Sequence, residues 1–96
     1  MTDPRDKDFF DCADEFIRLA NKQGGSLQRE QVSASFSYAA ARYNVFVSAC
    51  KADSAQQLQE RKEMVVEYFL KEYRLALEEN LDEYVRSFSS YFSDRR

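Results

Sequence analysis

The residues of this chain with the clearest chemical potential sit in the segment "SYAAARYN". Arg42 is the one charge in the apolar centre of a long segment, and Tyr38, Tyr43 and Asn44 flank it. A guanidinium among phenols stacks on a ring or pairs with a carboxylate. Glu63 and Glu67 are the acids expected near its level on a neighbouring helix. Two readings follow: a structural ion pair, or an inter-helix pocket in which Arg42, Tyr38 or Tyr43 works with a carboxylate in a small enzyme or a ligand-sensing bundle.

A second cluster, Glu78, Glu79, Asp82 and Glu83, brings carboxylates together at helical spacing. Carboxylate-bridged metal bundles pair such acids with a Glu-x-x-His motif, and the chain has no histidine. The cluster therefore reads as a solvated acidic face, and no metal is expected. The absence of histidine also removes the usual general base and every His-dependent triad. "QGGSLQ" lacks the spacing and the lysine of a phosphate-binding loop, so no nucleotide cofactor is implied. Catalytic and cofactor-binding residues are accordingly expected to be none. Reflection about the turn at Gly24-Gly25 places Cys12 level with Ala39, about 16 Å along a helix from Cys50. The two cysteines are expected as reduced thiols, with Cys50 a small buried hydrophobe.

The elements that carry these residues are helical. Two glycines and one proline leave few places to turn, which suits helical hairpins rather than sandwiches or barrels. The expected fold is an all-α, three-helix antiparallel bundle forming a single domain over residues 1–96. Helix one starts at a cap on Thr2 or Asp3 with Pro4 in its first turn. It presents Phe9, Phe10, Ala13, Phe16, Ile17 and Ala20 on one face and ends near Gln23, with Gly24 or Gly25 in the left-handed conformation. Helix two runs from a Ser26 cap to about Ala52. Helix three starts at "SAQQ", where Ser54 and Gln57 form a capping box. It is long, and "NLDE" allows a break near Asn80 that would begin a fourth helix. Glu67 with Lys71, and Asp82 with Arg86, are expected as surface pairs.

Helix three overruns its partner. With the second turn centred near residue 53, "LDEYVRSFSSYF" extends beyond the hairpin and leaves Leu81, Tyr84, Val85, Phe88, Tyr91 and Phe92 uncovered. An exposed aromatic stripe of this kind marks an interface. Either the end turns at Asn80 and folds back, or it continues and packs against a second copy; the dimer is the expectation, since small helical domains gain stability from association.

A net charge of −3 without a basic cluster disfavours nucleic acid as a partner. The charge-free segments are far shorter than the ~20 apolar residues of a membrane span, and the charged "MTDPRDKDFF" does not read as a secretory leader. A cytoplasmic location is expected, with a homodimer and an unidentified protein as partners, and neither nucleic acid nor membrane.

The blocks "FFDCADEFIRLAN", "VSASFSYAAARYNVFV" and "EYFLKEYRLALEENLDEY" resemble a small helical family, found chiefly in proteobacteria and catalogued as a domain of unknown function. The resemblance spans about residues 8 to 84. It implies a short, helical, cytoplasmic bacterial protein and transfers no site residues. The sequence thus points to a non-enzymatic helical module for protein–protein interaction.

Overall fold

In a computed structural model, which describes residues 5–92, the chain is all-α, with no strand among those residues. Five helices follow one another: α1 (Lys7–Gln23), α2 (Arg29–Cys50), α3 (Ala55–Glu60), α4 (Lys62–Arg86) and α5 (Phe88–Phe92). They group into two units, residues 1–45 and residues 46–96, with the division falling inside α2.

In the first unit, Asp6 caps α1. Its carboxylate accepts from the Phe9 N–H at 3.0 Å, which satisfies one of the free donors at a helix start. Asp8 in the first turn and Lys22 in the last complement the helix dipole. The cap expected at Thr2 or Asp3, with Pro4, lies outside the described residues.

At the other end of α1, Gly24 has φ −64°, and no glycine takes a positive φ. The left-handed cap expected of "GGS" is therefore replaced by a run of tight turns. Gly24 N–H donates to the Ala20 carbonyl, Gly25 to Lys22 and Ser26 to Gln23. Ser26 does not cap α2, because its hydroxyl turns back to the Gln23 carbonyl. The start of α2 is held instead by the Gln31 amide oxygen, which accepts from the Gln28 N–H at 3.3 Å. The facing sides of α1 and α2 meet at Phe16 and Phe36, whose ring centroids are 6.3 Å apart, close to the level that reflection about the turn predicts. Among the described residues, Val32 is the buried hydrophobic one.

In the second unit, the Ser54 hydroxyl accepts from the Gln57 N–H at 3.1 Å. The Gln57 side chain reaches back one residue further than the expected box, to the Asp53 N–H at 2.7 Å. Arg61 then interrupts the expected long helix for a single residue, separating α3 from α4. Its guanidinium donates to the Lys51 carbonyl at 3.2 Å, satisfying an acceptor just past the end of α2. No break occurs at Asn80. The Asn80 side chain donates to the Ala76 carbonyl one turn back, so the residue that might have capped a new helix is absorbed into the old one. The interruption comes at Ser87 instead, and α5 follows.

Two stability outcomes follow from these ends. A Cβ on Gly24 would meet only backbone oxygens at 3.4 and 3.5 Å, ordinary contact distances. Gly24→Ala should therefore stabilise the protein by about 0.5 kcal/mol through the unfolded state. Ser54→Ala removes a cap and should destabilise it by about 1 kcal/mol. Both are read from the midpoint of urea unfolding.

Candidate functional site: exposed helical faces

Tyr38, Arg42 and Tyr43 lie on α2 in the first unit, and all three are exposed. Glu63 and Glu67 lie on α4 in the second unit and are also exposed. Among the described residues, neither Glu67 with Lys71 nor Asp82 with Arg86 forms an ion pair. Lys7 does pair with Asp11 at 2.7 Å, and Arg74 with Glu78 at 3.6 Å. Exposed pairs of this kind contribute little, so spacing alone does not select which of them closes.

Cys12 and Cys50 are free thiols, and both are exposed. The expectation that Cys50 is buried fails because α2 is apolar on several sides and this end of it remains uncovered. No group of three metal-ligating side chains occurs among the described residues, and no helix there is long and apolar enough to cross a membrane.

The C-terminal aromatics do assemble, though not as a straight overhang. The turn at Ser87 brings α5 back on the last turns of α4, where Tyr84 and Tyr91 stack with centroids 4.2 Å apart and planes 9° from parallel. Phe92 adjoins Tyr84 and Phe88. The Tyr91 hydroxyl donates to both oxygens of Glu83, at 2.7 and 2.9 Å. That hydrogen bond to a carboxylate raises the Tyr91 pKa above its ordinary 10.0, with smaller contributions from desolvation and from the charge of Glu83. Leu81 and Val85 stay outside the cluster, Val85 with 75% of its surface exposed.

Sequence reasoning missed the extent of exposure. Large apolar side chains on α1, α2 and α4 stand in water, among them Phe9, Phe10, Phe16, Phe46, Leu70 and Leu77. The wide stripe on the expected third helix was the signal available beforehand, since it exceeds what one neighbour can cover.

Comparison with known proteins is consistent with this helical layout. Residues 9–85 match the model of a family described as a protein of unknown function, DUF3144. The NMR structure of the protein NB7890A from Shewanella sp is similar at 31% identity, with 95% of this chain and 97% of that chain covered and a TM-score of 0.76. No curated protein matches the chain significantly.

The Tyr91 contact has a sign that can be checked. A phenol whose folded pKa is raised adds stability that is fully present below its unfolded pKa of 10.0 and is lost as pH climbs through the higher folded value. Phenolate absorbance should therefore show a late component that titrates above pH 10.0. Tyr91→Phe, which keeps the ring, should remove that late component.

Proposed function

Since the chain belongs to the DUF3144 family of unknown function, we infer its role from its surface: it is a non-enzymatic helical module that binds protein through exposed apolar helix faces. The observation that carries this reading is the apolar surface left uncovered along α1, α2 and α4. Exposed apolar faces on a folded chain mark interaction sites.

In this reading the protein is bacterial and cytoplasmic, its helices form one antiparallel three-helix domain, and it works as a homodimer. Leu81, Tyr84, Val85, Phe88, Tyr91 and Phe92 contribute to the surface that a partner covers. Tyr38, Arg42 and Tyr43 form an exposed polar and aromatic patch on α2 instead of a catalytic set with Glu63 and Glu67. An Arg and two Tyr are well suited to an interface, where such residues supply large contact area with a polar tip.

Light scattering of the full chain tests the reading. The expected mass is twice the 11.3 kDa of one chain at micromolar concentration. A monomer throughout that range would overturn the homodimer.

A further inference from the structure

Along α4 the apolar residues do not form a single face. Val65, Phe69 and Ala76 follow one line, and Val65 and Phe69 on it are half-buried. A second line, Val66, Leu70, Tyr73 and Leu77, is exposed at 45%, 63%, 56% and 45%. Its steps alternate between four and three residues, the spacing of a helix that pairs lengthwise with another. Polar residues close it at both ends, Glu63 before Val66 and Asn80 after Leu77.

We propose that a second copy of this chain covers that line, with the two α4 helices antiparallel and a two-fold axis passing between Lys71 and Glu72. The proposal rests on the homodimer reading above and names its interface. In this register Leu70 faces Tyr73 of the other copy, and Val66 faces its Leu77. Glu63 meets Asn80 at each end, so the polar residues lie where water reaches them.

The flanking residues select this register. Beside the seam it sets Glu67 against Arg74 of the other copy, twice by symmetry, and the large Phe69 against the small Ala76. Glu67 has no ion pair of its own among the described residues. Arg74 has only the long, exposed contact with Glu78. Sliding the helices by one heptad would oppose Arg74 to its own copy and bury Asn80 against Leu70. A parallel pair would set Lys62 near Glu67 of the other copy, but it would also stack Asn80 on Asn80 and leave Arg74 beside Phe69. Charge complementarity and apolar layering therefore agree on the antiparallel arrangement.

Spin labels on the full chain test it, in a background with Cys12→Ser and Cys50→Ser so that each label is unique. Lys71 and Asp82 point away from the seam and are exposed, so either can carry a label through Lys71→Cys or Asp82→Cys. In the antiparallel dimer the two labels at 71 lie almost level, while those at 82 are separated along the axis by about 32 Å, from 1.5 Å per residue. A short distance at 71 and a long one at 82 is the expected result. Equal distances at the two sites, or a longer one at 71, would overturn the arrangement while leaving the dimer standing.

Charge reversal supplies an independent readout. Glu67→Lys alone and Arg74→Glu alone should each weaken dimerisation about tenfold, and the double variant Glu67→Lys/Arg74→Glu should recover most of the loss. Additive losses in the double variant would overturn the register. A monomeric parent chain by light scattering would remove the homodimer itself and the seam with it.

Discussion

A helix satisfies its own backbone hydrogen bonds but cannot bury its own apolar stripe. In this chain that constraint governs everything else. The helix ends are well provided for: Asp6 and Ser54 cap starts, and Arg61 reaches the Lys51 carbonyl beyond the end of α2. The side chains on the helix faces are not. Val32 is buried, while Phe10, Phe16, Leu70 and Tyr73 remain largely in water. Area removed from water is the main favourable term in folding, so side chains left exposed add little to stability.

The two short interruptions in the second unit show how local chemistry shapes the surface that is left. At Arg61 the helix lapses for one residue while the guanidinium bonds to a carbonyl from the preceding turn. At Ser87 the lapse redirects the chain so that Tyr91 stacks on Tyr84 and bonds to Glu83. Part of the aromatic tail is thereby covered by its own helix. The line Val66, Leu70, Tyr73 and Leu77 in the middle of α4 has no such fold-back and is exposed.

The all-helical character was legible throughout. Spacing of apolar residues, the scarcity of glycine and proline, and the capping pattern at Ser54 all pointed to helices within a few residues of where they stand. Some end details were not. Gly24 was expected in the left-handed conformation because glycine permits it, yet permission is not a requirement, and successive tight turns close the helix without it. Asn80 carries the same lesson: a residue able to cap can equally bond to the carbonyl one turn back, and the apolar continuity on both sides of it favoured continuation.

Exposure separates what each level determined. Periodicity and end chemistry are local, so the sequence by itself settled the helices and their apolar faces. Whether a given face is covered depends on contacts between residues far apart in the chain, to which periodicity is blind. Only the tertiary structure decided that Cys50 is exposed, that Tyr91 folds back on Tyr84, and that Arg74 closes on Glu78 while Glu67 does not close on Lys71. The reason is energetic: each of those outcomes turns on small differences between competing packings, whereas a helix is favoured by many residues acting in concert.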